Sequence, residues 1–373
     1  MKLKIRGSQP DFWLLLSIII LLGLGTMMVF SASTASSYSM SDQSTSYDIL
    51  IKQFIFAILG IGLMFFMSFV DYKLIGKFTL LIYAGSIGLL GLVPLIGVIH
   101  NGARRWLNFG IEFQPSEIFK IAVVLFLAYV FSTPKIREKA VTLWGILIYM
   151  APVGVGLLLL ILQPHVSCII IIGCVMLVMM FIGGVKPATF ILMFGLAAAL
   201  VIIVFTQDQF SYIVERVFAF RNPEADPSGD GYQIMQSLYA IGSGGLFGRG
   251  LGQGVQKYLY LPEPYNDFIL SILAEELGFF GVFIVIALFA VFVWRGYKIS
   301  ICAPDKFSSL VACGITTIIA VQATMNIAVV TSSMPVTGIS LPFFSYGGTS
   351  LSIMMASMGI LLNISKQSKY AKF

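Results

Sequence analysis

Long apolar runs alternate with short polar breaks along this chain. The runs fall near residues 12–33, 50–70, 77–99, 115–132, 141–162, 166–185, 188–206, 268–294, 308–331 and 343–364. Each approaches the roughly 20 residues that a helix needs to cross hydrocarbon. The pattern therefore predicts about ten transmembrane helices and an all-α polytopic membrane protein. The 115–132 run is the least typical: its clean apolar part, Ile121 to Phe131, is short, and Glu117 and Lys120 stand at its start. A membrane β-barrel would show short alternating segments instead of continuous runs. The first run resembles a signal peptide, with Ser31–Ala32–Ser33–Thr34–Ala35 as the cleavable region. It is longer than an h-region of about 7–15 residues and nine more runs follow, so it is expected to be a span.

Composition narrows the class. Of 373 residues, 58% are hydrophobic and 11% charged, and the mean hydropathy is +0.94. Soluble domains are about 45–50% apolar and about 25% charged. A cytosolic globular enzyme, a disordered chain and a coiled coil are excluded. The net charge of +6 is a question of sidedness here, not a sign of nucleic acid. With the N-terminus inside, Lys2, Lys4, Arg6, Lys73, Lys77, Lys135, Arg137, Lys139, Lys186, Arg295, Lys298, Lys306, Lys366, Lys369 and Lys372 fall in the cytoplasm, 15 of the 23 basic residues. The excess of Lys and Arg on one side puts both termini in the cytoplasm. Lys52, Arg104, Arg105, Lys120, Arg216, Arg221, Arg249 and Lys257 are left at the outer side or at the boundary.

The chain is expected to form a single transmembrane domain over 1–373, with a large extracytoplasmic loop at 207–266 between helices 7 and 8. Segments 100–117 and 332–349 are the other notable outer stretches. Loops of such length in compact folds are usually functional or disordered, and the aromatics and paired charges here favour order. Gln209 to Phe220 reads as an amphipathic helix with Ile213, Val214, Val217 and Phe218 toward lipid. No internal repeat is visible. Cys168, Cys174, Cys302 and Cys313 lack metal-ligand spacing and read as buried free thiols. His100 and His165 are too few for a histidine-based metal site.

Ionisable groups at membrane depth are expensive and point to function. Arg104–Arg105–Trp106 precedes Gln114–Pro115–Ser116–Glu117 and Lys120. Glu117 and Lys120, at i and i+3, share a helix face; they are either a self-neutralising pair or part of a polar cavity in which Arg105 and Lys120 hold a phosphate. The stretch Gly242 to Asp267 is glycine-rich but carries neither G-x-G-x-x-G in register nor G-K-[ST]. Its glycines suit tight turns, and its backbone N–H groups could bind an anion. Asp267 stands where the loop re-enters the membrane. It is either an ordinary helix-start acid, with the helix dipole favouring its ionised form, or a general base at the membrane surface. Glu275 and Glu276 point to different faces, so at most one shares a cavity with it. Asn326 and the Pro- and Gly-broken stretch Ser332 to Ser350, including Ser345, form either a cavity wall or a plain re-entrant turn.

The stretches RRWLNFGIEFQPSEIFK (104–120), GGLFGRGLGQGVQKYLYLPEPYNDFILSILAEELG (244–278) and MPVTGISLPFFSYGGTSL (334–351) together resemble the SEDS family, the FtsW, RodA and SpoVE proteins. The likeness runs over nearly the whole chain in span order, and the second stretch is closer to the FtsW and SpoVE branch. The resemblance implies a ten-span peptidoglycan glycosyltransferase of the bacterial plasma membrane. Such enzymes polymerise lipid II into glycan strands at the outer face, in division or sporulation, beside a cognate class B penicillin-binding protein that crosslinks the strands. It implies Asp267 as the essential loop aspartate, Glu117 and Lys120 as the polar pair of the fourth span, and Arg105 as the arginine ahead of it. One departure stands out. Where the family has an acid in Q-P-D-x-G-[TS], this chain has Gln163–Pro164–His165–Val166–Ser167–Cys168. A neutral His165 cannot balance a cation there, and activity could be retuned, made pH-sensitive through it, or reduced.

The expected chemistry is an inverting transfer with Asp267 as base and with Arg105 and Lys120, joined by Arg249 or Lys257, steadying the departing diphosphate. No cofactor is obligatory, although a divalent cation could help neutralise the diphosphate. Two rivals use the same sequence features. A lipid II flippase would need polar groups lining both sides, and a non-catalytic scaffold for the transpeptidase would not need Asp267.

Overall fold

The computed structural model describes residues 9–39, 48–100, 103–191, 193, 195, 211–226, 229–258 and 260–368. In chain order the helices are α1 (Phe12–Ser39), α2 (Asp48–Phe69), α3 (Tyr72–Ile96), α4 (Pro115–Ser132), α5 (Pro134–Ala140), α6 (Leu143–Leu162), α7 (Val166–Gly183), α8 (Ser211–Arg221), α9 (Asp230–Gly244), α10 (Ile269–Ile301), α11 (Lys306–Val330) and α12 (Thr349–Gln367). Local chemistry fixes several starts. Asp71 accepts from Lys73 N at the head of α3, Thr142 from Gly145 N at α6, and Asp305 forms a reciprocal capping box with Ser308 at α11. These side chains satisfy N–H groups that a helix start leaves unpaired.

Among the described residues, eight helices are long and apolar enough to cross a membrane: those starting at Phe12, Ile49, Tyr72, Pro115, Trp144, Val166, Ile269 and Lys306. The expected 188–206 span lies mostly outside the described residues. The expected final span is the helix Thr349–Gln367, whose Ser350, Ser352, Ser357 and Asn363 keep it out of that apolar set. The protein is a multi-pass helical membrane protein.

The pairings place α4 and α11 at the centre. They touch each other, and α4 also packs on α3 and α7, while α11 packs on α7 and α10. Both are 72% buried over their apolar windows, against 22% for α2. A helix apolar all round but buried belongs in a bundle core, and α2 presents Phe54, Ile55, Ile58, Phe65 and Phe66 outward, as a lipid-facing helix does. The described ends of the chain meet: Asp11 pairs with Arg295 and its N–H donates to Ser365 Oγ at 3.2 Å.

At the other end a small sheet, which the apolar runs do not predict, covers the bundle. Strands β1 (Val98–His100), β2 (Ala103–Asn108) and β3 (Glu112–Phe113) form an antiparallel sheet in that order, with Ile99 opposite Arg104 and Leu107 opposite Phe113. The long connection also holds helices α8 and α9. The amphipathic segment expected at 209–220 is α8, with Val214 and Phe218 exposed.

Helix α10 is broken. Gly278 has φ 67° and ψ −166°, a conformation that an L side chain rarely adopts. A Cβ there, or on Gly248 (φ +79°), would collide with the other segment's backbone. The interrupted carbonyls of Glu275 and Glu276 instead accept from Arg249 N (2.9 Å) and Gly250 N (3.0 Å). The N–H groups of Phe279 and Phe280 donate to the carbonyls of Gly245 (2.9 Å) and Leu246 (3.2 Å). Non-helical backbone within a span needs such partners, because hydrocarbon offers none. The glycine-rich loop is thus the filler of a gap in a membrane helix.

Candidate active site

Asp267 lies just before α10 and caps nothing: the helix begins at Ile269 after Phe268, with no side-chain cap. The carboxyl group is only partly exposed. Burial raises its pKa to about 6, the nearby Glu263 carboxylate adds to the rise, and Arg105 and Arg216 pull the other way. The helix dipole, expected to favour the ionised form, is outweighed by desolvation.

Much of the signature stretch serves to hold this turn. Asn326 Nδ2, from α11, donates to the Asp267 carbonyl (2.8 Å) and to Ile339 O (2.6 Å). Ser345 Oγ accepts from Leu341 N (2.7 Å) and donates to Asn266 O (2.6 Å). Tyr346 N donates to Tyr265 O at 2.9 Å. Gly338 lies against the carboxylate, where an added Cβ would sit 3.5 Å from Oδ2. Ser345, expected to bind substrate, is buried and spends its hydroxyl on the backbone beside the acid.

Arg105 reaches from β2 across to the α6–α7 turn, donating to Gln163 O (3.3 Å) and Pro164 O (2.6 Å). Its charge acts on both Asp267 and His165. His165 is driven down to about 3 by burial, then by Arg105 and Lys120, so it stays neutral at any physiological pH. The expected pH sensitivity through His165 is therefore not supported: its titration lies far below that range. Its Nδ1 is buried without a hydrogen-bond partner, as are Ser116 Oγ, Gln163 Oε1 and Thr337 Oγ1. Below it, Lys120 Nζ bonds Glu117 Oε1 at 2.9 Å and Gln322 Oε1 at 3.3 Å. This pair lines a small cavity between α4, α11 and α12, with Gln322, Met354 and Ser357 among its walls. Asp267, Arg105, His165 and the Glu117–Lys120 pair form a polar column from the sheet-covered end into the bundle.

Two of the expected site residues stand apart from that column. Lys257 is 2% exposed, and its ammonium bonds Glu276 (2.7 Å), Ser31 Oγ (3.0 Å) and Gly252 O (2.8 Å). That geometry makes it an internal tie, not a diphosphate ligand. Arg249 keeps an exposed guanidinium 3.7 Å from the buried Glu275. The loop N–H groups expected to bind an anion do so, but the anions are the protein's own. Glu275 accepts from Val255 N (2.9 Å) and Gln256 N (3.1 Å), and Glu276 from Gly252 N (3.0 Å). Neither glutamate is among the groups whose charge acts on Asp267.

Arg216 and Glu263 were not assigned to the site from sequence. Arg216, on α8, pairs with Asp230 (3.1 Å) and donates to Val336 O (3.2 Å). Its position among the basic residues of the unexpected side was the available signal. Glu263 carried no signal beyond its nearness in sequence to Asp267. Among the described residues no group of three His, Cys, Asp or Glu could hold a metal.

The fold and this column define a polytopic helical membrane protein that carries a recessed acid beside cations at one end of its bundle. Residues 12–370 match the cell cycle protein family of FtsW, RodA and SpoVE, and the chain belongs to that family. It is 40% identical to stage V sporulation protein E of Bacillus subtilis, over 98% of this chain and 99% of the relative. It is also 40% identical to the probable peptidoglycan glycosyltransferase FtsW of Trichlorobacter lovleyi, over 98% and 96%. A solved chain from a peptidoglycan synthase complex that coordinates polymerisation and crosslinking has TM-score 0.78 at 27% identity, covering 95% of this chain and 97% of that one. The rod shape determining protein RodA of Thermus thermophilus has TM-score 0.70 at 25% identity, covering 96% and 98%.

Proposed function

We propose that this protein is a peptidoglycan glycosyltransferase that polymerises lipid II at the outer membrane face, in cell division or sporulation. The observation that carries the reading is the recessed Asp267 carboxyl group, raised by burial and within the field of Arg105 and Arg216. The 4-hydroxyl of the acceptor N-acetylglucosamine attacks C1 of the donor muramoyl sugar. Its proton passes to the Asp267 carboxylate, the C1–O bond to the polyprenyl diphosphate breaks, and the anomeric centre inverts. Arg105 and Arg216 stabilise the charge that develops on the diphosphate. A base whose pKa lies near working pH is more effective than an ordinary aspartate.

The Glu117–Lys120 pair and the neutral His165 would line the sugar or diphosphate path. No residue is assigned as a metal ligand, and a divalent cation arriving with the diphosphate would add charge neutralisation. The cognate partner is a class B penicillin-binding protein in the same membrane, a reading supported by the likeness to a synthase-complex chain. A flippase reading fits less well. Below the polar column the buried residues of α4 from Ala122 to Phe131 are all apolar.

The test is strand synthesis from purified lipid II by the full chain with its partner. Asp267→Ala should cost at least about 10² in rate while the protein stays folded and in the membrane. Undiminished polymerisation by that variant would remove the base, and headgroup translocation without polymerisation would favour the carrier.

A further inference from the structure

Glu263 occupies an unusual position. Its φ is +50°, a left-handed backbone uncommon for a residue with a side chain and associated with functional sites. Its carbonyl accepts from Asn266 N (3.2 Å) and Phe268 N (3.5 Å), which curls 263–268 into a turn. Asn266 Nδ2 donates to Glu263 Oε2 at 2.6 Å, so the carboxylate is clamped. Ser345 holds the same turn through Asn266 O, and Asn326 holds it through Asp267 O. A strained residue gripped on its side chain and its backbone is placed, and what it is placed beside is the acid.

We propose that Glu263 is a positioning residue for the reaction, a fixed negative charge that makes Asp267 a stronger base than its two arginine neighbours would otherwise allow. This rests on the reading of Asp267 as the proton acceptor. The charged groups that act on Asp267 are Glu263 from its own turn, Arg105 from β2 and Arg216 from α8. Arg216 is partly answered by Asp230, and Arg105 is directed to the carbonyls of Gln163 and Pro164. Tyr265 and Tyr346 border the turn as protonated phenols, burial raising both, and bring no charge. Without Glu263, burial still raises the carboxyl group, but the pull of the two cations goes unanswered and leaves it a weaker base. With Glu263, the carboxylate can take a proton as the hydroxyl attacks and release it afterwards.

The experiment is the initial rate of lipid II polymerisation against pH, using the purified full chain with its partner transpeptidase. Glu263→Gln keeps the size and the oxygen that accepts from Asn266, and removes the charge. Its acid limb should move down by roughly 0.5–1 pH unit, with a lower rate on the plateau. Glu263→Asp should retain the limb of the unaltered protein more closely. If Glu263→Gln does not yield monodisperse protein, Asn266→Ala frees the carboxylate without discharging it and should move the limb the same way by less. A limb that stays in place in the folded variant, whatever happens to the plateau, overturns the proposal. An unaltered protein with no acid limb, or an active Asp267→Ala, defeats the base assignment itself and is told apart on that ground.

Discussion

Replacing Lys257 with methionine removes an ammonium that bonds Glu276 at 2.7 Å, Ser31 Oγ at 3.0 Å and Gly252 O at 2.8 Å, while a flexible side chain still fills the space. Lys257 and Glu276 side chains are 2% and 0% exposed, so water does not screen the pair and the value of a surface bridge, about 0–1 kcal/mol, does not apply. Stranding one buried charge typically costs about 3–5 kcal/mol. Glu276 would keep its bonds from Ser31 Oγ (2.7 and 2.8 Å) and Gly252 N (3.0 Å), which argues for the lower end, about 3 kcal/mol. The loss should appear first as opening of the loop, since the tie joins loop to helix. At about 1.4 kcal/mol per factor of ten, amides of Gly252, Val255 and Gln256 should exchange hydrogen about 10²-fold faster. The assay is hydrogen–deuterium exchange with peptide-level mass readout on protein in nanodiscs. Adding Glu276→Leu should restore part of the protection by removing the second charge. Unchanged exchange together with lost polymerisation would refute the reasoning and return Lys257 to the substrate.

The polymerisation rate should fall about tenfold per unit as pH drops below about 6, because Asp267, raised to about 6 by burial and then by Glu263, becomes protonated and cannot act as a base; His165, driven down to about 3, should add no second inflection between pH 5 and 8. Ser345→Ala should lower kcat by about tenfold or more with a smaller change in KM, since the hydroxyl fixes the turn that carries the base and small misplacements are costly; steady-state kinetics on lipid II would check this. Gly278→Ala should cost more than about 1–3 kcal/mol, because a side chain is strained at that φ and meets the Leu246–Gly248 backbone; the readout is the midpoint of thermal aggregation in detergent.

Sequence periodicity carried the helices well because bilayer spans need uninterrupted apolar runs, and such runs are hard to mistake. It carried the ends less well: α10 continues to Ile301, beyond the expected 294, since Trp294, Arg295 and Tyr297 look like an interface while still forming helix. The break at Gly278 was invisible because a lone glycine in an apolar run is usually tolerated, and its hydrogen-bond partners lie some 30 residues upstream. The small sheet escaped because its strands are three, six and two residues long and show no alternation. In the site, Asp267, Arg105 and the Glu117–Lys120 pair stood out as charges at membrane depth. Lys257 stood out for the same reason, yet its charge answers Glu276, a pairing that only the fold could reveal. Glu263 looks like an ordinary loop charge until the chain brings it to the acid, and Arg216 is marked only by standing among the outer basic residues.

The gap in α10 also bears on how the protein is made. Its filler, residues 244–250, lies upstream of both half-helices, so a ribosome delivers the plug before the interrupted segment emerges. The nascent chain need never leave that opening unoccupied in the lipid phase. Reversing this order, in a permuted chain that begins between 260 and 263, would present the half-helices first. Such a rearranged gene would show whether early delivery of the plug matters to the insertion of the broken helix.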